Sequence, residues 1–215
     1  MMVELKKFVF NPFMENTFVV WDKETREAAV IDPGCSDELE EQEFSEFIIN
    51  NSLSLKYLIN THCHLDHIWG CKFIKEKYNP QYLIPEDDLT LLKNAGSQAD
   101  MYNVSFNEPP LPDGFISESL HISLGSSQIK FLYTPGHTPG EFSLYFPSEK
   151  FCIVGDVLFR GSIGRTDLWG GNYETLMDSI FNKLLSLDDN VIIYPGHGEE
   201  STIGIERSKN PFLNE

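Results

Sequence analysis

The sequence predicts an α/β protein in which two β-rich halves form two sheets that pack face to face, with helices outside. Two observations favour this architecture: short β-branched or aromatic segments recur in both halves, and helical patterns follow strands in each half. The chain of 215 residues is 41% hydrophobic and 23% charged, which is typical of a globular protein. We therefore expect a single domain over residues 1–215.

The first half begins with three predicted strands, at residues 3–10, 16–22 and 27–32. Each strand is short and is bounded by Asn-Pro, charged residues or Pro-Gly. Residues 36–50 carry apolar positions at roughly helical spacing, and Ser36 is the predicted N-cap of this acidic amphipathic helix.

A β-loop-α-β unit follows. Its predicted strands are residues 55–60 and 81–85, and its predicted helix covers residues 66–78. Residues 94–118 are rich in Asn, Gly, Pro and Ser, so we expect a long loop there with at most one short helix.

The second half is likewise predicted to contain short strands and helices. Its predicted strands are residues 121–124, 129–133, 142–146, 151–155 and 191–196. Its predicted helices are residues 173–187 and 200–209.

The charge balance excludes two classes of partner. Thirty-three acidic and 16 basic residues give a formal net charge of −17. A surface of this sign repels nucleic-acid phosphates and anionic lipid headgroups. We expect a small-molecule substrate, no nucleic acid and no membrane, and the oligomeric state stays open.

The cysteines and the N-terminus indicate a cytoplasmic location. Cys35, Cys63, Cys71 and Cys152 form no CxxC pair and are too sparse for a disulfide framework. The first residues lack a secretory signal, and no apolar run is long enough to span a bilayer. A reducing cytoplasm is therefore the expected compartment.

Residues 61–67, with the sequence THCHLDH, place three of the six histidines and one aspartate directly after a strand. Imidazole and carboxylate are ligands that suit zinc, iron or manganese. In an extended segment His62 and His64 point to the same face, and Cys63 points to the other. Asp66 and His67 stand at the start of the next helix, where they can hold a second ion about 3.5–4 Å from the first.

Three further candidate ligands follow apolar strands and lie beside glycine. They are His137 in TPGHTPG, Asp156 in VGDVLF and His197 in YPGHGEE. Asp156 is the only carboxylate at such a strand end, so we expect it to bridge both ions. His121 lies within a predicted strand and receives no metal role.

This set of residues resembles the metallo-β-lactamase-fold superfamily, in which HxHxDH is followed by isolated His, Asp and His at strand ends. The resemblance covers nearly the whole chain and implies a four-layer αβ/βα sandwich. It also implies a grouping of the ligands that agrees with the one above. The first ion would be held by His62, His64 and His137, the second by Asp66, His67 and His197, with Asp156 shared.

Residues 159–168, FRGSIGRTDL, resemble the glyoxalase II-like branch, which hydrolyses thioesters such as acyl-glutathione. Asp156 argues against class B β-lactamases that carry cysteine at this position. Full-length glyoxalase II continues into a helical domain whose basic residues help hold glutathione, and that domain is expected to be absent here. The resemblance therefore implies a small bacterial glyoxalase II-like hydrolase rather than glyoxalase II itself.

The expected mechanism uses a hydroxide that bridges two divalent metal ions and attacks a carbonyl carbon. Zinc is the expected metal, with iron and manganese as alternatives. Asp66 is the expected catalytic residue, because it could orient the nucleophile or transfer its proton. A thiolate leaving group needs little acid assistance, which suits a thioester.

The sequence leaves two possible roles for each of two further residues. Asp32 is either a partner of a ligand histidine or a plain turn aspartate before proline. Arg165 either binds a substrate carboxylate or holds its own loop through Asp167.

Three alternative functions stay open. Persulfide dioxygenases share the fold and the GRTD-type loop but use one Fe(II), held by two histidines and an aspartate, and consume oxygen. Lactone hydrolysis is the second alternative. A non-catalytic metal-stabilised module is the third, and it would need no open coordination position.

Overall fold

The structure is a computed structural model that describes residues 3–214. The first half forms a six-stranded sheet whose spatial order follows the chain. Strands β1 to β3 pair antiparallel, whereas β3 to β6 pair parallel. The strands are β1 (Val3–Phe10), β2 (Glu15–Asp22), β3 (Glu27–Ile31), β4 (Ser54–Ile59), β5 (Gln81–Pro85) and β6 (Gly114–Ile116).

Five α-helices and one 3-10 turn accompany this sheet. They are α1 (Glu38–Asn50), α2 (Leu65–Ile68), α3 (Cys71–Tyr78), the turn Glu86–Asp88, α4 (Leu89–Lys93) and α5 (Ala95–Tyr102). The predicted N-cap of α1 is wrong by one residue. Asp37 has extended backbone angles, and its carboxylate accepts the N–H bonds of Leu39 and Glu40. The Ser36 hydroxyl donates to the Glu40 side chain instead.

The single helix predicted over residues 66–78 is divided into α2 and α3. The Gly70 N–H donates to Pro33 O at 2.7 Å, while the Asp66 carbonyl accepts from the Asn11 side chain. The helical bond between residues 66 and 70 is therefore replaced by two tertiary bonds. These same bonds hold the segment that carries Asp66 and His67.

Residues 94–118 contain the long loop and one short helix that the sequence predicts, together with a strand that it does not predict. Helix α5 and strand β6 lie inside this segment, and the unpredicted α4 precedes it. Small residues hide the helical pattern, because the buried positions of α5 are only Ala95 and Ala99.

The second half forms another six-stranded sheet, in the order β14-β13-β10-β9-β8-β7. Its strands are β7 (Ile122–Leu124), β8 (Ser127–Tyr133), β9 (Phe142–Phe146), β10 (Phe151–Gly155), β13 (Ile192–Pro195) and β14 (Ser201–Thr202). A separate hairpin joins β11 (Leu158–Phe159) to β12 (Ser162–Ile163). The helices are α6 (Tyr173–Ser179), which continues as the π-helical segment Ile180–Leu184, and α7 (Ile203–Lys209). The hairpin and β14 were not predicted, and α7 begins later than expected.

Three hydrophobic clusters show how the layers pack. One lies between the first sheet and its helices, one between the two sheets, and one between the second sheet and its helices. Every residue of β2 is buried, since Val19 and Trp21 face the helices while Phe18 and Val20 face the other sheet. The predicted four-layer αβ/βα sandwich is confirmed.

Strand direction brings the site together at one edge. β3 and β4 are parallel, and β8, β10 and β13 share one direction because β9 is antiparallel to both β8 and β10. The segments that follow these five strands carry Asp32, residues 60–67, His137, Asp156 and His197. Within residues 3–214, no helix has the length and apolar character needed to cross a bilayer.

Candidate metal centre

The seven predicted ligands meet in two neighbouring groups. One ligand atom from each of His62, His64 and His137 lies within 4.8 Å of the others. Asp66, His67 and His197 form a second group by the same measure. The structure therefore brings together the residues that the sequence grouped, and Asp156 lies between them.

A chain of hydrogen bonds orients His62. The Thr61 hydroxyl donates to Asp32 Oδ2 at 2.6 Å and lies 3.0 Å from His62 Nδ1. Because the hydroxyl has one proton, it must accept from Nδ1–H of the imidazole. His62 Nε2 is then left with a free lone pair, which is the state that binds a metal ion.

His137 is oriented in a similar way by a backbone carbonyl. Its Nδ1–H donates to Arg165 O at 2.7 Å, so Nε2 carries the lone pair. This Nε2 atom lies 2.9 Å from His64 Nδ1. Two ring nitrogens that face each other so closely are suited to sharing one cation.

The second group combines a carboxylate with two imidazoles. Asp66 Oδ2 lies 3.1 Å from His197 Nε2 and 3.7 Å from His67 Nε2. His197 Nδ1 lies 3.1 Å from Phe13 O, and His67 Nδ1 lies 3.2 Å from Asp32 Oδ2. Each imidazole thus directs one nitrogen outward to a protein oxygen and the other toward Asp66.

Asp156 stands between the two groups. Its Oδ1 lies 3.6 Å from His67 Nε2, and its Oδ2 lies 3.6 Å from the Nε2 atoms of both His137 and His197. The Asp156 N–H donates to Glu141 Oε1 at 2.7 Å, which holds the start of this loop. The position fits the bridging role expected from the sequence.

Several buried atoms of this cluster lack a partner within the described part of the chain. They include His62 Nε2, His67 Nε2 and Asp156 Oδ1. A buried polar atom without a hydrogen bond costs roughly 1–3 kcal/mol, so three of them at one place fit a cluster whose partner is a bound ligand. Nitrogen and carboxylate donors of this kind suit divalent cations.

Burial and neighbouring charge separate the histidines into two classes. Burial and the surrounding imidazoles lower the pKa of His62, and burial and His137 lower the pKa of His64 to about 3. Burial also lowers the pKa of His137, although Asp156 opposes it. These three rings are therefore neutral near pH 7, as metal ligands must be.

The pKa values of the second group shift in the opposite direction for its two histidines. Burial alone would lower the pKa of His67 and of His197, but nearby carboxylates raise both above the usual value. Burial would raise the pKa of Asp66, but His67 and His197 lower it below its usual range. Cation binding here would therefore release protons.

Asp88 is a residue beside the ligand cluster that the sequence analysis missed. Its Oδ2 accepts from the Cys63 N–H at 3.0 Å and the Thr138 hydroxyl at 2.9 Å, and its Oδ1 accepts from the Gly140 N–H at 2.8 Å. It thereby joins the loop of His62 and His64 to the loop of His137. Burial raises the pKa of Asp88 to about 6.

Glu141 was also missed. Besides accepting from Asp156, its Oε1 lies 3.5 Å from His62 Nδ1, and the side chain is completely buried. An acidic residue directly before the apolar strand FSLYF is the signal that could have identified it.

The structure shows the contacts of the two residues for which the sequence left two interpretations, Asp32 and Arg165. Asp32 is completely buried and contacts both Thr61 and His67, as a partner of ligand histidines would. Arg165 forms two hydrogen bonds with Asp167, of 2.7 and 2.8 Å, as a loop-holding residue would. All four cysteines are free and buried, and burial raises the pKa of each thiol, which disfavours the reactive thiolate form.

Comparison with known proteins gives one family. The sequence profile of the metallo-beta-lactamase superfamily matches residues 10–197. Hydroxyacylglutathione hydrolase GloC of Haemophilus influenzae is 39% identical over 204 residues, which cover 94% of both chains. The mitochondrial persulfide dioxygenase ETHE1 of Bos taurus is 31% identical over 201 residues, which cover 92% of this chain and 70% of that protein.

Solved structures agree over almost the full length. The crystal structure of the BLEG-1 B3 metallo-beta-lactamase has a TM-score of 0.89 and 29% identity, and covers 99% of this chain and 100% of its own. The structure of TTHA1623 in a di-iron-bound form has a TM-score of 0.86 and 32% identity, and covers 97% of this chain and 100% of its own. The layered fold is therefore shared with proteins of known structure.

Proposed function

The chain belongs to the metallo-beta-lactamase superfamily, and from the geometry of its ligand cluster we propose that it is a metal-dependent hydrolase that cleaves a thioester such as an acyl-glutathione. The observation that carries this proposal is the pair of three-donor groups with Asp156 between them. Two divalent ions are the proposed cofactor, and zinc is the proposed metal, with iron or manganese as alternatives. His62, His64 and His137 would hold one ion, and Asp66, His67 and His197 the other.

A pair of divalent ions supplies a water of lowered pKa and polarises the carbonyl of a bound substrate. The chain itself supplies orientation and proton handling. Asp66 lines the cavity above the cluster, and its side chain is 17% exposed, so it can contact both water and substrate. Its Oδ2 atom is the proposed site that orients the attacking water and holds its proton.

The similarity to GloC supports the choice of a thioester. That relative is named as a hydroxyacylglutathione hydrolase and aligns over 94% of both chains. A thiolate leaves without strong acid assistance. The described residues that line the cavity include no lysine, so no ammonium group is present there to protonate a leaving group, which agrees with a thiolate.

A second candidate function is a mononuclear Fe(II) persulfide dioxygenase, which the similarity to ETHE1 supports. We rank it second because the identity is lower and the chain covers a smaller share of that relative. Lactone hydrolysis on the same fold is a third candidate. The cytoplasm is the proposed location, in agreement with four free thiols in residues 3–214.

One experiment tests these candidates together. Metal content per chain is measured by elemental analysis, and the same preparation is assayed with S-D-lactoylglutathione, simple lactones and glutathione persulfide. Two ions per chain with thioester cleavage and no oxygen uptake is the expected result. One iron per chain with oxygen uptake on the persulfide would overturn the proposal.

A further inference from the structure

A cavity of about 670 Å³ opens over the ligand cluster. Nine of its lining residues are large and apolar or aromatic, and five of these form what we call the apolar wall: Phe13, Met101, Tyr102, Leu168 and Trp169. Trp169 is 60% exposed and Tyr102 is 46% exposed. Single exposed apolar residues are ordinary, but several around one cavity indicate a surface that binds a ligand.

Two segments of the apolar wall are tied to the ligand cluster. The Phe13 carbonyl accepts from His197 Nδ1–H, and the Phe13 ring meets Tyr102 edge-on with centroids 4.9 Å apart. In α5, the Gln98 side chain accepts the Leu65 N–H at 3.0 Å, next to Asp66. These contacts place Phe13 and α5 at a defined distance from the reacting centre, so a substrate group can bind without ordering the wall first.

The third segment is the loop that carries Leu168 and Trp169. Arg165 precedes these two residues in the loop. Its backbone carbonyl accepts a hydrogen bond from His137 Nδ1–H, and its guanidinium forms two hydrogen bonds with Asp167. All three segments are therefore positioned by the ligands or their immediate neighbours, which makes the apolar wall part of the same site.

The charged residues of the cavity complement an apolar group better than an anionic one. Arg160 pairs with Glu199, and Arg165 pairs with Asp167. Among the described lining residues no arginine lacks an acidic partner, and the chain carries a net charge of −17. The apolar wall is therefore the part of the cavity that an uncharged acyl group can contact.

We propose that the preferred substrate carries an apolar acyl group, aromatic or medium-chain aliphatic, that packs against Phe13, Tyr102 and Trp169. This inference rests on the proposed thioesterase function and names its substrate class. Hydrolysis adds water across the thioester, so that the C–S bond breaks, the carbonyl carbon gains the hydroxyl, and the thiolate takes the proton. The products are an apolar carboxylic acid and a free thiol.

The test keeps the thiol constant and varies the acyl group. The metal-loaded protein is assayed with acetyl, butanoyl, hexanoyl, phenylacetyl and D-lactoyl thioesters of glutathione. We expect kcat/KM to rise about 2- to 4-fold per added methylene through the hexanoyl ester. Highest kcat/KM with the acetyl or D-lactoyl ester would overturn the inference and leave the thioesterase function intact.

A binding measurement tests the preference for an apolar acyl group without requiring thioester hydrolysis. The ketones S-(2-oxopropyl)glutathione and S-(2-oxoheptyl)glutathione place a methylene between carbonyl and sulfur, so hydrolysis cannot cleave them. Calorimetry should give at least 10-fold tighter binding of the longer ketone, whether or not any thioester is hydrolysed. Equal affinities would overturn the inference, whereas failure of every thioester with tighter binding of the long ketone would remove only the proposed reaction.

Substitutions in the apolar wall test whether these residues cause the preference for a longer acyl group. Trp169→Ala and Tyr102→Ala should each lower the hexanoyl-to-acetyl ratio of kcat/KM several-fold and weaken binding of the long ketone. Phe181→Ala is the matched control, since Phe181 is aromatic, 48% exposed and outside the described cavity lining. An unchanged ratio in both wall variants would contradict the assigned wall.

Discussion

The carboxylate of Asp32 lies 3.2 Å from Nδ1 of His67, with both side chains completely buried. The contact is within ion-pair range, although its angle falls short of a linear hydrogen bond. The same carboxylate accepts the Thr61 hydroxyl, which in turn orients His62. One aspartate therefore contacts residues of both groups of proposed ligands, and it lies directly after β3, where none of the proposed ligands lies.

Replacement of this aspartate should weaken metal binding without unfolding the chain. Asp32 has φ of +49°, a left-handed conformation that asparagine tolerates, so Asp32→Asn retains the backbone. Loss of the negative charge reduces the basicity of His67, and we expect metal affinity to fall about 10- to 100-fold. A competition titration with a coloured chelator measures this affinity. Asp22→Asn, at a turn outside the site, is the control and should retain it.

Asp66 is predicted to be needed for both metal occupancy and turnover. Asp66→Ala removes the only carboxylate of the second three-donor group. We expect loss of one of two ions per chain and at least a 100-fold drop in kcat/KM, with the circular dichroism spectrum retained. The exposed Asp178→Ala in α6 serves as the control. Full occupancy and normal turnover in Asp66→Ala would contradict the role.

Gly196 is predicted to be required because of space. A Cβ atom there would overlap Asp156 Oδ1 and lie 2.6 Å from His67 Cε1. Gly196→Ala should therefore displace the bridging carboxylate and reduce the metal content of the purified protein, measured by elemental analysis. Gly96→Ala in α5 meets only a side-chain atom at 3.7 Å and should keep its metal, with a small gain in helix stability.

Glu141 should control metal affinity through the acceptor it offers to Asp156. Glu141→Gln retains an oxygen for the Asp156 N–H, whereas Glu141→Leu leaves that N–H unpaired. We expect metal affinity close to that of the native chain for the first variant and a fall of about 10-fold or more for the second. Glu149→Leu removes another buried glutamate, which is bonded to Ser127 and lies outside the cluster. It should lower the melting temperature but not the affinity.

Asp88 should make stability depend on pH. Its pKa is raised to about 6 by burial, while an unfolded aspartate has a pKa near 3.8. Between these values the unfolded chain ionises Asp88 before the folded chain does, so its contribution to stability is complete below pH 3.8 and is lost as pH rises to about 6. The difference in unfolding free energy between the native chain and Asp88→Asn should therefore shrink over this range by up to about 3 kcal/mol. Denaturant unfolding at several pH values, with chelator present, measures it, and a difference independent of pH would exclude the effect.

Much of the fold was predictable because burial imposes clear periodicity on strands. Strand β2 lies between two layers and has the apolar run FVVW at residues 18–21, and α1 shows helical spacing. The position of helix α5 within residues 94–118 was not predicted because its buried positions are alanines, and the break at Gly70 was not predicted because its cause is a bond to Pro33. Elements without a strong apolar pattern are determined by contacts that a local reading does not contain.

The sequence by itself determined the set of candidate ligands. Four of them lie within residues 61–67, and the other three each follow an apolar strand, so local spacing and strand ends were sufficient. Only the tertiary structure decided what surrounds them. Asp32, Asp88 and Glu141 reach the site through bonds that span 15 to 52 residues. Strand pairing within each sheet places Asp32 beside Thr61 and Glu141 beside Asp156, and the packing of the two sheets places Asp88 beside Gly140. The apolar wall depends on the same packing, since its segments meet only when the two halves of the chain lie face to face.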